Sequence, residues 1–100
     1  VPFPYRDRNA VSTRPAVVIS CRAYNATDDL VIAAITSHPG RSSWDYELQD
    51  WGLAGLRLPS TVRMLLATVA TSRVQLTVGR LSDRDWTEVQ QRVRDVFAWP

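Results

Sequence analysis

The stretch TRPAVVIS (residues 13–20), followed downstream by VIAAITS (residues 31–37), decides the fold of this chain. Both stretches are rich in valine and isoleucine, whose β-branched side chains favour strands. A short apolar run bounded by polar, turn-forming residues is typical of a buried strand. We therefore predict strands over residues 15–20 and 30–35.

Polar side chains that could act on a substrate stand at one end of each predicted strand. Arg14 directly precedes the first strand, and Thr36 and Ser37 follow the second. Taken alone, an arginine before a strand is usually a solvated surface charge, and a Thr-Ser pair after a strand usually belongs to a turn. The residues by themselves leave the functional and the structural interpretation open.

Further strands are predicted along the rest of the chain. Residues 1–5 are expected to end an edge strand, because their two prolines cannot donate to a central ladder. The alternating polar and apolar side chains of residues 44–48 indicate a half-exposed strand. Threonine and valine favour a strand over residues 61–68, and another short strand is expected over 73–78. Loops or polar connections are expected at residues 6–13, 21–29, 38–43 and 50–60.

A helix is predicted at the C-terminal end. Ser82 and Asp85, three residues apart, form a capping box. The helical face that follows is apolar and is expected to pack on the core; it consists of Trp86, Val89, Val93, Val96 and Phe97. The predicted fold is thus mainly β, a single domain over residues 1–100 in which a C-terminal helix closes a small, strongly bent β-barrel.

Composition limits the classes of partner. One hundred residues form only a modest core, so oligomerisation is expected to add stability. A net charge of +2 is too small to indicate nucleic-acid binding by itself. All 12 cationic side chains are arginine, whose guanidinium group binds phosphate through paired hydrogen bonds. A GC-rich genome would produce the same arginine bias, so both explanations stay open.

Cysteine and histidine usage argues against a bound metal or cofactor. With Cys21 as its one cysteine, the chain forms no intrachain disulfide and no thiol metal cluster, and it suits a reducing cytoplasm. Carboxylates are not clustered at metal-ligand spacing. No apolar stretch is long enough to cross a bilayer, and no signal peptide begins the chain. Because the numbering starts at Val1 instead of methionine, we expect the natural terminus to lie further upstream.

An ordered set of short motifs resembles the PemK-like members of the MazF family of small bacterial ribonucleases. The motifs extend over nearly the whole chain: residues 1–5, 14–15, 24–25, 35–37, 50–51, 55–56, 59–60, 62–63, 68–69 and 79–82. The resemblance implies an SH3-like barrel of the CcdB/PemK type and a homodimer. It also implies a toxin that cleaves single-stranded RNA (mRNA) without a metal and is neutralised by an acidic cognate antitoxin.

The resemblance also implies a set of catalytic residues. Arg14, from the Arg-Pro pair, and Thr36, at the end of the next strand, would form the catalytic centre. Ser37 accompanies Thr36, and Arg63 contributes in some members. Several relatives carry an acid two residues beyond that second arginine, where this chain has Leu65, and some have a histidine in the first long loop, where residues 6–13 have none.

Metal-free RNA cleavage requires a proton acceptor that these residues do not supply. Arg14 and Arg63 can stabilise negative charge on the phosphoryl oxygens, but a guanidinium group hardly acts as a base. Hydroxyl groups such as that of Thr36 orient a phosphate without accepting its protons. His38 is the one histidine, and an imidazole exchanges protons near neutral pH. Its alternative role is that of a plain loop residue before Pro39.

RNA contacts are expected from loop arginines and from aromatic side chains. These residues are Arg6, Arg8, Arg41, Trp44 and Tyr46. The arginines would bind phosphate, while Trp44 and Tyr46 could stack on bases or instead fill the barrel or a dimer interface.

A second class of function remains open at the level of sequence. The chain could be a non-catalytic binding module on the same fold, either a topoisomerase poison like CcdB or a toxin relative that has lost cleavage. Arg14 together with Thr36 favours the enzyme, whereas Leu65 in place of an acid favours lost or altered activity.

Overall fold

The computed structural model describes residues 14–40 and 42–100. The predictions for residues 1–5 and 6–13, and those for Arg6, Arg8 and Arg41, lie outside the described residues. The strands are β1 (Ala16–Val18), β2 (Asp29–Thr36), β3 (Tyr46–Glu47) and β4 (Thr61–Ala70). The helices are α1 (Arg22–Asn25), a 3-10 helix (Thr71–Arg73) and α2 (Asp83–Val96).

The four strands form one antiparallel sheet in the order β1-β2-β4-β3. The sheet is curled into a half-barrel, and α2 packs on one of its faces. This arrangement confirms the prediction of a mainly β fold with a C-terminal helix. A β-bulge interrupts the pairing of β2 with β4 between Ala33 and Ile35, and bulges increase the local bend of a sheet.

Apolar side chains cover both faces of the sheet. On the α2 face, buried residues of the sheet and its loops pack with the fully buried Val89 of the helix: Ala33, Ile35, Leu48 and Val62. On the opposite face, Leu30 and Ile32 form a smaller cluster with Val74, which follows the 3-10 helix. Because strand side chains alternate between faces, β2 and β4 present their polar terminal residues next to the second cluster.

Some predicted elements are shorter than expected. Strand β1 ends at Val18 because the chain bends at Ser20, whose Oγ accepts a hydrogen bond from the Val31 N–H at 2.9 Å. The predicted connection that follows contains the one-turn helix α1. Strand β3 keeps only two of its five predicted residues, Tyr46 and Glu47.

The strand predicted over residues 73–78 is wrong. Thr71–Arg73 form a 3-10 helix, and residues 74–80 have no regular structure. This segment packs against the loop of residues 52–56 without pairing in the sheet. A Cβ added at Gly79 would lie 2.4 Å from the Ala54 carbonyl oxygen, and one added at Gly55 would lie 2.2 Å from the Val78 carbonyl oxygen. Only glycine allows the two backbones to approach so closely.

The predicted N-terminal cap of α2 is confirmed, since Ser82 Oγ accepts a hydrogen bond from the Asp85 N–H at 3.3 Å. Trp86, Val89 and Val93 pack into the core as expected. The prediction for Val96 and Phe97 is wrong, because both side chains are exposed. Val96 is the last helical residue and Phe97 lies beyond it. Within the described ranges, no helix is long and apolar enough to cross a membrane.

Candidate functional site

One end of the sheet gathers polar residues from neighbouring strands. Thr36, the last residue of β2, pairs with Thr61, the first residue of β4. Thr61 also pairs with Glu47 at the end of β3. A row of polar side chains therefore crosses three strands at the same level.

Strand pairing extends this row towards Arg14. Ala16 pairs with Ala34, and the Ile35 N–H donates to the Pro15 carbonyl oxygen at 3.2 Å. The described pairing ends at Ala16, two residues after Arg14, and its register runs towards Arg14 and Thr36. Arg14, before β1, and Thr36, at the end of β2, therefore stand at the same end of two neighbouring strands.

The hydroxyl group of Thr36 is held by the turn that follows the strand. Its Oγ1 accepts a hydrogen bond from the His38 N–H at 3.1 Å. The hydroxyl keeps its own hydrogen, which it can donate to an anionic oxygen. Ser37 and His38 are exposed in this turn, so the turn presents both side chains to solvent beside Thr36.

Arg63 lies on the same face of the sheet as Thr36. Ile35 and Val62 pair with each other and point into the core beneath α2. By alternation, Thr36 and Arg63 point to the opposite face. Arg63 forms an ion pair there with Asp45, with Nε and Oδ2 3.9 Å apart. Sequence reasoning missed Asp45, because only the register of β3 against β4 places the two residues side by side.

A small pocket of about 330 Å³ surrounds this ion pair. The described residues that line it are Ser42, Trp44, Asp45, Arg63, Met64, Leu65 and Val96. The Trp44 side chain is half exposed, and the Trp44 N–H donates to Ser42 Oγ at 3.3 Å. A guanidinium group, an indole ring and apolar walls are together suited to a nucleotide, since the cation attracts phosphate and the ring can stack on a base.

A larger cleft of about 800 Å³ lies along β1. Arg14 and Arg80 line it together with apolar residues such as Val17, Leu76 and Trp86. Arg14 therefore stands between this apolar cleft and the polar row that ends at Thr36. Among the described residues, no group of three His, Cys, Asp or Glu side chains could hold a metal ion.

The structure places Tyr46 on the other face of the sheet from Arg63. Tyr46 pairs with Val62 and packs against the core beneath α2. Its hydroxyl donates to Asp85 Oδ1 at 2.7 Å, and the Arg92 guanidinium lies 5.5 Å from the centre of its ring. Burial and the neighbouring Asp85 carboxylate raise the pKa of Tyr46. The hydroxyl and the ring of Tyr46 are therefore both in contact with residues of α2.

Asp85 fastens α2 to the loop after β3, a role that sequence reasoning missed. Its carboxylate is fully buried and accepts hydrogen bonds from the backbone N–H groups of Gln49 at 3.0 Å and Asp50 at 2.8 Å. Burial alone would raise the pKa of Asp85, but these bonds and the Tyr46 hydroxyl lower it below its usual value. A capping box accounts for an acidic residue at position 85, where its carboxylate would bind the start of its own helix. The Asp85 carboxylate binds a distant loop instead.

Asp50 completes the connection between this loop and the helix. Its carboxylate accepts from Arg84 through two hydrogen bonds of 2.7 Å and from Ser82 Oγ at 2.6 Å. The bonds from Arg84 and then Ser82 lower the pKa of Asp50 to about 2. The same contact raises the pKa of Arg84. These contacts hold the loop after β3 in place. They thereby also fix β3, the strand next to the candidate site.

Comparison with known proteins agrees with this geometry. Residues 1–97 match the family described as "PemK-like, MazF-like toxin of type II toxin-antitoxin system". No curated protein matches the chain in sequence. The fold is similar to that of the Mycobacterium tuberculosis toxin MazF-mt6, with a TM-score of 0.74, 16% identity, and 87% of this chain and 88% of the other covered.

Two further solved structures share the fold. One is an endoribonuclease in complex with its cognate antitoxin from a mycobacterial species, with a TM-score of 0.74, 15% identity, and coverage of 87% of this chain and 82% of the other. The second is the MazE-MazF complex of Deinococcus radiodurans, with a TM-score of 0.71, 19% identity, and coverage of 87% and 83%. The family match extends over nearly the whole chain, and the chain belongs to the PemK-like, MazF-like toxins of type II toxin-antitoxin systems.

Proposed function

We propose that this chain is an endoribonuclease that cleaves single-stranded RNA, mRNA in particular, without a metal ion. Membership of the toxin family supports the proposal, as do structural neighbours named endoribonucleases. The observation that carries it is the antiparallel pairing of β1 with β2, whose register runs towards Arg14 and Thr36 at one end of the sheet.

The proposed reaction uses the RNA as its own nucleophile. The ribose 2'-oxygen attacks the adjacent phosphorus, a new 2'-O–P bond forms and the bond to the 5'-oxygen of the next nucleotide breaks. The 2'-hydroxyl loses its proton to a base, and the leaving 5'-oxygen gains a proton from an acid. The products are a 2',3'-cyclic phosphate and a free 5'-hydroxyl.

Arg14 and Arg63 stabilise the negative charge that the phosphoryl oxygens carry in the transition state. Removing one positioned donor of this type from an enzyme typically costs about 3 kcal/mol of transition-state stabilisation. Thr36 donates its hydroxyl hydrogen to the phosphate while the His38 N–H fixes its oxygen. Ser37 assists from the exposed turn, and the His38 imidazole transfers the proton.

Substrate binding relies on cations and on one exposed indole ring. Arg6, Arg8 and Arg41 contribute phosphate contacts, and Trp44 stacks on a base from the wall of the small pocket. We assign Tyr46 a different role from the one predicted, because its hydroxyl donates a hydrogen bond to Asp85 of α2. It holds the loop after β3 and makes no contact with a base.

The chain acts in the cytoplasm as a homodimer and is neutralised by an acidic cognate antitoxin. The modest core of a 100-residue chain supports dimerisation. Structural neighbours seen with a cognate antitoxin support the second partner. An acidic segment that folds on binding can cover the arginine-bearing face of the sheet.

The test is cleavage of a defined single-stranded RNA by the pure protein in excess chelator. We expect cleavage at unchanged rate, with products that carry 5'-hydroxyl groups and can be labelled by polynucleotide kinase without prior dephosphorylation. Activity that disappears with chelator and returns with Mg²⁺ would refute the metal-free mechanism. No cleavage under any condition, together with inhibition of a topoisomerase, would favour the non-catalytic module instead.

A further inference from the structure

We propose that Asp45 is a positioning residue that aims Arg63 at the RNA phosphate, an inference that rests on the proposed function. Asp45 is the only carboxylate among the described residues that line the small pocket. It comes from the segment before β3, whereas Arg63 belongs to β4. The pair is therefore assembled by strand pairing, and no local sequence motif contains it.

Strand register sets the two residues at the same level. Tyr46 pairs with Val62 and Glu47 with Thr61. Continuing this antiparallel register by one residue places Asp45 opposite Arg63. The neighbouring pair Tyr46 and Val62 packs against the core, so by alternation Asp45 and Arg63 point to the other face of the sheet. The backbone thus aligns the carboxylate with the guanidinium group before any substrate is bound.

Burial of the Asp45 carboxylate gives the Arg63 guanidinium group a preferred direction. The Asp45 side chain is only 6% exposed, whereas that of Arg63 is 35% exposed. A carboxylate removed from water attracts a nearby cation more strongly than an exposed one does, because the surroundings screen the charges less. Arg63 Nε is buried and lies 3.9 Å from Asp45 Oδ2, which is an ion-pair distance and too long for a hydrogen bond. A guanidinium group also carries N–H donors on its two Nη atoms. With Nε turned towards Asp45, these Nη donors can bind a phosphate.

Asp45 also contacts the turn that bears the other candidate residues. A Cβ added at Gly40 would lie 3.2 Å from the Cβ of Asp45 and 3.5 Å from Cγ2 of Thr61. Gly40 lies two residues after His38, at the end of the turn that holds Thr36 Oγ1. Asp45 is therefore packed between this turn and Arg63. A shift of the Asp45 side chain would therefore move both the Arg63 guanidinium group and the turn that contains Gly40.

The test is a double-mutant cycle with single-turnover kinetics on one RNA substrate. We expect Asp45→Asn to lower the cleavage rate at saturating protein at least about tenfold, because a small misplacement of a catalytic group is costly, with the concentration for half-saturation nearly unchanged. In an Arg63→Ala background the same substitution should have little further effect. Asp45→Glu, which keeps the charge, should restore part of the rate.

The matched control is Asp29→Asn, which neutralises an exposed carboxylate at the start of β2, the opposite end of that strand from Thr36. It should leave the rate unchanged. Equal losses from Asp45→Asn with and without Arg63 would overturn the proposal, as would a rate equal to that of the wild type. If wild-type protein cleaves no RNA, the proposed function fails first, and the inference fails with it.

A measurement that does not depend on activity complements the kinetics. In the NMR spectrum of the labelled protein, the Arg63 Nε–H should exchange slowly with water, and Asp45→Asn should accelerate this exchange. Unfolding curves of both variants show whether the fold persists. If Asp45→Asn does not fold, the Asp45→Glu variant provides both the cleavage rate and the exchange rate of the Arg63 Nε–H. An Asp45→Glu variant that has lost all cleavage, but whose Nε–H exchanges as slowly as in the wild type, would refute the positioning role.

Discussion

Tyr46 donates its hydroxyl hydrogen to Asp85 across 2.7 Å, although 39 residues separate the two along the chain. The bond joins the start of β3 to the first turn of α2. It is accompanied by two backbone hydrogen bonds from the loop after β3 to the same carboxylate. Strand, loop and helix are therefore connected through one buried group.

Tyr46→Phe should destabilise the protein without a specific effect on RNA binding. The substitution removes one hydrogen bond to a buried carboxylate, which typically costs about 1.5 to 3 kcal/mol of unfolding free energy. Urea unfolding followed by tryptophan fluorescence measures this loss. Tyr24→Phe, in the exposed helix α1, is the matched control and should leave the midpoint unchanged. A Tyr46→Phe variant that keeps full stability but binds RNA more weakly would instead support a role of Tyr46 in base stacking.

Stability should fall in acid because of Asp50. Its pKa in the folded protein is lowered to about 2, below the value of about 4 expected in the unfolded chain. A lowered folded pKa stabilises the protein fully above pH 4, and this contribution is lost as the pH falls from about 4 towards 2. Asp50→Asn should flatten the curve of unfolding free energy in that window. Asp28→Asn, an exposed carboxylate before β2, should not.

Gly79→Ala should destabilise the protein by about 1 to 3 kcal/mol, the usual cost of overpacking. The added methyl group would meet the Ala54 carbonyl oxygen at 2.4 Å, and both atoms belong to or adjoin the backbone, so the loop must move. Gly52→Ala is the control, since nothing lies within 4 Å of its added Cβ. Thermal unfolding of both variants measures the difference. Equal midpoints would show that the two segments separate easily.

The glycine contact also shows why parts of the fold could be predicted and others could not. The strands over residues 29–36 and 61–70 are long apolar runs, and local composition determines them. The segment over residues 73–78 has the same strand-like composition, but close packing of Gly79 on Ala54 turns it away from the sheet. Such a contact between distant backbones is not encoded in either segment alone.

The candidate site divides in the same way. Arg14 and Thr36 stand at the ends of predictable strands, and the family resemblance singles them out; their catalytic role stays a prediction. Asp45 was missed, and Asp85 was predicted only as part of a capping box, because the partner of each is set by long-range register or by helix docking. The signals that could have indicated them were the alternation over residues 44–48 and the acid in the capping box. Neither signal identifies the partner.

Arg14→Ala should lower the rate of RNA cleavage at least about a hundredfold, because it removes a charged donor from the transition state. Arg14 is exposed and lies before the first residue of β1, so the fold should persist. Arg22→Ala is the matched control, since it removes an exposed arginine from α1. Single-turnover rates and circular dichroism distinguish catalysis from unfolding. An Arg14→Ala variant as active as the control would remove the centre of the proposed site.

His38→Ala should lower the chemical rate while leaving RNA affinity nearly unchanged. The backbone N–H of residue 38 holds Thr36 Oγ1 at 3.1 Å, and alanine keeps that N–H, so the turn is preserved and only the imidazole is lost. If the imidazole accepts the 2'-hydroxyl proton, the pH-rate profile of the wild type has an acidic limb that the variant lacks. Single-turnover rates from pH 5 to about pH 8 test this expectation. Identical profiles for the two proteins would assign the base role to another group, such as water beside Arg14.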